Sequence, residues 1–216
     1  MHKFIDLHSH SCSDELTIIS YRLGIDKVYE NDCKFTIGIH PWDVNNDIDL
    51  SEINKYINSP NLVGIGEVGL DFHKAKTDKE RDLQKQVFIS HIEIANTHEL
   101  PLIIHSVKAN NEVYTILKTY NKSSKVIFHS FIGNCHEAHQ LTNAGYYLSL
   151  SPLAFKSEKT IAAFKSTSLN HIFCETDDTK HNITDVYNVL SKVKGESLEL
   201  IKQELLTSYK KVFKNG

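Results

Sequence analysis

Arginine is almost missing from this chain: Arg22 and Arg81 are the only two in 216 residues. A grip on phosphate by several guanidinium forks is therefore excluded. Lysine and arginine (24) fall short of aspartate and glutamate (27), so the formal net charge is -3 and no global basic field of the kind that coats duplex nucleic acid or anionic membranes exists. A few local contacts to a nucleic-acid end stay compatible with that charge, because bound metal ions bring their own. Cysteine is scarce too. Cys12, Cys33, Cys135 and Cys174 contain no C-x-x-C pair, which argues against a thiolate zinc site or a disulfide frame and for reduced thiols, with Cys12 a plain loop thiol. No apolar run approaches the ~20 residues of a membrane span, and Asp6 and His8 interrupt the N-terminal stretch before a signal-peptide core can form; a soluble, cytoplasmic protein without membrane partners is expected. Only four prolines occur, and there is no linker, repeat or low-complexity tract. One domain over 1–216 follows, with length enough for one sizeable core.

What is present is a succession of short apolar runs. Phe4 to His10, Leu16 to Tyr21, Lys34 to Ile39, Leu62 to Glu67, Leu102 to His105, Val126 to His129, Tyr147 to Leu150 and Ile172 to Glu175 suit strands buried on both faces of a parallel sheet. Between them, Leu83, Val87, Phe88, Ile92 and Ala95 recur at helical spacing, as do Ala138, Leu141 and Ala144, and then Leu198, Ile201, Leu205, Tyr209 and Val212. The charge-rich stretch from Lys74 to Lys85 opens a helix as its solvated face. A short helical stretch is expected at Asp26 to Glu30, since the first crossover lacks room for a full helix. About eight strands alternating with helices predict an α/β fold, a TIM-type (β/α)₈ barrel with a shortened first crossover.

The metal-capable residues sit at matching places on that map. His8 and His10 end the first strand and, two apart, project from one face. Glu67 ends the fourth strand, His105 the fifth and His129 the sixth, and Asp177 lies just past the eighth. In a barrel the C-terminal strand ends meet at one mouth, so these six become neighbours. Taken singly, each is as well explained as a rim residue; six at one topological position are not. Four histidines and two carboxylates exceed the needs of one ion, which points to two divalent metals with one carboxylate bridging. The nitrogen-and-oxygen donor set suits zinc, manganese or iron, and magnesium less comfortably. His136-Glu137-Ala138-His139 imitates H-E-x-x-H, but its histidines are three apart, and no metal role is assigned to it. His2, His73, His91, His98, His171 and His181 read as surface or rim residues.

Six motifs in order, Phe4-Ile5-Asp6-Leu7-His8-Ser9-His10, Gly38-Ile39-His40-Pro41, Gly66-Glu67-Val68-Gly69-Leu70-Asp71, Pro101-Leu102-Ile103-Ile104-His105, Phe128-His129-Ser130-Phe131 and Glu175-Thr176-Asp177, together resemble the TatD family of metal-dependent deoxyribonucleases. The resemblance implies a TIM barrel that hydrolyses phosphodiester bonds with divalent metals, its ligands falling on His8, His10, Glu67, His105, His129 and Asp177. It implies DNA ends or single strands as substrate. The stretch between His10 and Gly38 is shorter than in typical members, so one barrel wall is expected to be thin or covered by a protein partner. Val107-Lys108 stands where many members carry an arginine and an acid.

Within that resemblance, His8, His10 and Asp177 would hold one ion and His105 and His129 the other, with Glu67 bridging and Asp177 accepting the proton of the attacking water. Lys108, His40 and Trp42 are candidate substrate contacts, Trp42 by stacking on a base; Asp71 would orient a ligand or the substrate from behind. Two other readings stand beside this one. Asp6 to Ser11 with Ser13-Asp14 also resembles the polymerase-and-histidinol-phosphatase family, which would make the chain a phosphoesterase for small molecules, and a barrel subunit of a larger assembly is the third.

Overall fold

A computed structural model describes residues 3–12, 16–29, 33–45 and 49–213. Eight strands form one all-parallel sheet in sequence order: β1 (Asp6–Ser9), β2 (Thr17–Arg22), β3 (Lys34–Gly38), β4 (Leu62–Asp71), β5 (Leu102–Val107), β6 (Val126–Phe128), β7 (Tyr147–Leu150) and β8 (Ile172–Cys174). The ends of the sheet meet through a parallel bridge between Ser9 and Asp177, where the Asp177 N–H donates to the His8 carbonyl at 2.9 Å. The expected barrel is present, nearly closed on itself.

Helices follow the later strands: α1 (Asp78–His98), α2 (Asn110–Tyr120), α3 (Cys135–Asn143), α4 (Glu158–Ser166), α5 (Ile183–Lys194) and α6 (Leu198–Val212). Their ends carry the signals that chemistry requires. Thr77 and Glu80 form a capping box at α1, Asn134 and Glu137 another at α3, and Gly195 ends α5 at φ 70°. The early connections differ from the later ones. Among the described residues no helix follows β1 or β2, and only a 3₁₀ segment, Leu50–Lys55, follows β3. The helix expected at Asp26 to Glu30 is not there: Asp26 to Tyr29 run as bend and irregular chain, and Glu30 lies outside the described residues.

The thin wall is closed by the chain itself. Ile19, Tyr21, Phe35 and Ile37 of β2 and β3 are buried beneath Val28, Tyr56, Ile57 and Leu100. Cys33 belongs to the same cluster and is joined to Cys12 as a disulfide, with Cα atoms 6.2 Å apart. This corrects the expectation of four free thiols. The helix-free connections bring residues 21 apart into contact, a proximity that cysteine spacing does not reveal; Cys135 and Cys174 are free.

A core cluster draws Leu7, Ile18, Val63, Ile103, Ile127, Tyr147 and Phe173 from seven strands and adds Tyr209, Val212 and Phe213 from the end of α6. Residues from opposite sides of the sheet can meet only inside the barrel, so these side chains fill it. The two-residue strand period then decides what stands at the mouth. Two positions beyond Ile103, Ile127 and Phe173 come His105, His129 and Glu175, on the same inward face.

Candidate metal centre

His8, Glu67, His105 and His129 are buried at the mouth; Asp177 is partly covered, and His10 is exposed. Glu67 is the hub. Its Oε1 lies 2.5 Å from His105 Nδ1, 2.7 Å from His129 Nε2 and 3.2 Å from His40 Nε2, while Oε2 lies 3.4 Å from His8 Nε2. Asp177 Oδ1 stands 3.8 Å from His8 Nε2 and 3.7 Å from His10 Nε2. The donor atoms within each of four triads, His8–His10–Asp177, His8–Glu67–His129, His40–Glu67–His105 and His129–Glu175–Asp177, lie within 4.8 Å of one another. The structure thus brings together all six residues expected to hold metal.

Hydrogen bonds fix which ring nitrogens face inward. The Trp42 backbone N–H donates to His40 Nδ1 at 3.1 Å, which leaves the His40 proton on Nε2, facing Glu67. His105 Nε2 donates to Asp71 Oδ2 at 3.2 Å, which turns the Nδ1 lone pair toward Glu67. His129 Nδ1 lies 3.3 Å from Glu175 Oε1 without a hydrogen bond, and its Nε2 lies toward the same hub. His8 Nε2 is buried with no hydrogen-bond partner, although it faces two carboxylates. A buried polar atom in that state is costly. Lone pairs converging on carboxylate oxygens need positive charge among them, and a divalent cation fits this donor set of imidazole and carboxylate.

The electrostatics agree. Without metal, protons supply that positive charge: burial works against the Glu67 charge, but protonated His129 and the hydrogen bonds that protonated His105, His129 and His40 then donate outweigh it and hold the carboxyl well below its usual range. Burial also opposes charge on His105 and His129; Asp71 and Glu67 at the first, and Glu67 and Glu175 at the second, nevertheless raise both. At His40 burial prevails and the pKa falls. At Asp177 burial is again the opposing effect, overcome by His10, His129 and His8, so its carboxyl stays ionised. The cluster draws in cations, whether protons or metal.

Behind these groups stands a frame that the motifs contained without revealing its roles. The Asp6 carboxylate accepts from Thr176 N at 2.9 Å and Thr176 Oγ1 at 2.6 Å, which pins the residue before Asp177 to β1. Ser130 donates its N–H to Glu175 at 2.6 Å, and its Oγ lies 2.8 Å from Glu175 and 3.0 Å from Asp177. Lys108, Ser130 and Asp177, just past β5, β6 and β8, all have left-handed backbones with φ of 54°, 43° and 54°. Such conformations in residues with a Cβ collect at functional sites.

The mouth opens into a cavity of about 1080 Å³ whose wall includes Trp42, Lys108, Arg22, Ile132 and Leu153. Arg22 is tied to Asp43, and Lys74 lies over the Trp42 ring at 4.9 Å. His136 and His139 lie exposed on α3, away from the triads, and Glu137 is engaged in capping. His73, His98 and His181 are exposed and His171 is half-buried. His91 overturns the rim expectation. It is fully buried in α1, accepting from Ile39 N at 3.1 Å and donating from Nδ1 to the Val87 carbonyl at 2.8 Å, because it falls on the same helical face as Phe88, Ile92 and Ala95. His2, Ser13 and Asp14 lie outside the described residues.

Comparison with known proteins gives the family. An uncharacterized metal-dependent hydrolase of Buchnera aphidicola is 35% identical over 65% of the chain, and the putative deoxyribonuclease TATDN3 of Mus musculus is 32% identical over 73%. The matched stretches span 54% and 57% of those two proteins, so the chain covers about half of their length. The crystal structure of YjjV, a TatD homologue of Escherichia coli, superposes with a TM-score of 0.83 at 20% identity, covering 98% of each chain, a likeness of fold. No helix among the described residues is long and apolar enough to cross a membrane. The sequence model described as TatD related DNase matches residues 11–214, directly after the His8 and His10 pair and over nearly the whole chain, and this chain belongs to that family.

Proposed function

We propose that the chain is a metal-dependent phosphodiester hydrolase acting on nucleic-acid ends, a deoxyribonuclease of the TatD type. The observation that carries this reading is the hub at Glu67, with His105 Nδ1 and His129 Nε2 turned toward it and an unpartnered, buried Nε2 on His8. His8, His10 and Asp177 would hold one cation and His105 and His129 the other, with Glu67 between. Two divalent cations, when bound, supply Lewis acidity to phosphoryl oxygens and lower the pKa of water from 15.7 towards ~7. Asp177, at the rim of the cluster and ionised, would accept the proton released by the attacking water. Lys108, on the cavity wall, offers a local cation to a phosphate, and the part of the Trp42 ring open to the cavity offers a face for a base. The mouse relative's name carries the choice of DNA.

The test is metal analysis of the purified protein beside digestion of end-labelled oligonucleotides in zinc, manganese and magnesium. Close to two metal equivalents and stepwise shortening from an end are expected. Protein that hydrolyses small phosphomonoesters while leaving oligonucleotides whole overturns the nuclease reading.

A further inference from the structure

We infer that Trp42 is a positioning residue whose two N–H groups set the two imidazoles flanking Glu67: the backbone N–H sets His40, and the indole N–H sets His105 through Asp71. The inference rests on the reading of Glu67 and His105 as metal ligands.

Trp42 is the chain's single tryptophan and is 54% exposed, yet its polar atoms point inward. Nε1 donates to Asp71 Oδ2 at 2.7 Å, the same oxygen that receives His105 Nε2 at 3.2 Å. The other Asp71 oxygen is already taken by the backbone N–H groups of His73 and Lys74, at 2.8 and 2.9 Å. A carboxylate has about four acceptor positions, and four donors fill them here. Asp71 therefore cannot turn without losing one of these bonds, and its remaining freedom, a swing of Oδ2 away from His105, is stopped by the indole. Gln84 holds the two segments in register: its Oε1 accepts from Asp71 N at 3.0 Å, and its Nε2 donates at 2.9 Å to the carbonyl of Pro41, the residue before Trp42. On the other side, the Trp42 N–H on His40 Nδ1 directs His40 Nε2–H at Glu67. One residue thus governs two of the three imidazoles that meet Glu67 Oε1. The backbone bond to His40 needs no tryptophan, but the indole bond to Asp71 is one that a ring serving as a stacking surface alone would not need.

The test separates the N–H from the ring. Trp42→Phe removes the indole donor, and incorporation of benzothienylalanine at position 42 replaces the N–H with sulfur while keeping the ring's shape, so the fold is preserved if the phenylalanine variant proves unstable. In metal-free protein at a pH high enough to leave the imidazole neutral, ring-nitrogen NMR of His105 is expected to show the proton on Nε2 in the wild type and a loss of that preference in both variants. Titration with zinc or manganese is expected to show a weaker dissociation constant at one of two sites, by about 10- to 100-fold, the usual cost of removing a group that orients a metal-binding histidine. Wild-type His105 shifts and wild-type metal affinity in the benzothienyl variant, with weakened oligonucleotide binding in the phenylalanine one, would overturn the inference and leave Trp42 a stacking surface. Wild-type protein that binds no divalent metal would sink the proposed function, and the His105 nitrogen comparison would still decide the role of Trp42.

Discussion

His91 and Glu67 are both buried ionisable groups, and they respond to protons in different ways. Burial pushes the His91 imidazole down to about 4 from 6.5. Below pH 6.5 an unfolded chain takes a proton that the folded chain refuses, so the stability contributed by neutral His91 is complete above pH 6.5 and is lost as pH falls towards 4. The gap corresponds to about 3 kcal/mol. Urea unfolding of wild type and His91→Gln across that window should show the wild type losing stability relative to the variant by roughly this amount; parallel curves would show that His91 titrates normally. Glu67 is held ionised by the imidazoles around it, so its role should appear in metal content. Glu67→Gln should release more metal than His129→Ala, since a carboxylate bridging two ions would serve both, whereas His129 would donate a single nitrogen. Elemental analysis after dialysis decides, and a Glu67→Gln protein that keeps two ions at wild-type occupancy removes Glu67 from the bridging position.

At the scale of strands, the mouth depends on the close approach of β4 to β5. Gly69 pairs with His105 at φ 142°, and a Cβ there would meet the His105 carbonyl oxygen at 2.1 Å. Backbone cannot move aside cheaply, so Gly69→Ala should destabilise the protein by about 3 kcal/mol and displace His105 with it. A change in unfolding free energy under about 1 kcal/mol would mean that the strands relax freely. The strands themselves were readable because each is an apolar run between polar ends, and the metal candidates because His105 and His129 stand one strand period beyond an interior residue. The supporting frame was not. Asp6 and Thr176 are 170 residues apart and Ser130 and Glu175 are 45, and a hydrogen bond across such a distance leaves no period in the sequence. His91 was misread for a local reason: a polar side chain on an apolar helical face looks like an interruption until the backbone N–H it accepts is known. The early wall was read correctly as short, but its self-coverage depends on Val28, Tyr56 and Ile57 from connections with no regular pattern.

For the whole molecule, a net charge of -3 gives no diffuse field to draw nucleic acid in, so under the proposed function affinity would have to come from cations held at the mouth and a few side chains beside it. Salt dependence then counts contacts, because each neutralised phosphate releases counterions; for single strands the slope of log K against log salt is about -0.7 per contact. Lys108 stands past the end of β5, three residues from His105, on the cavity wall. If it meets a phosphate next to the one being cleaved, Lys108→Ala should weaken single-strand binding and flatten the salt slope by about that increment. Turnover of a small chromogenic phosphodiester, too short to reach Lys108, should hardly change, which makes the small ester a control for an intact centre. Fluorescence anisotropy of a labelled oligonucleotide at several salt concentrations, with ester turnover in parallel, separates the outcomes. Equal losses on both substrates would place Lys108 at the reacting phosphate itself. An unchanged slope with unchanged affinity would remove Lys108 from the substrate path and leave Lys159 and Arg22, the other cations on the wall, as the groups to replace next.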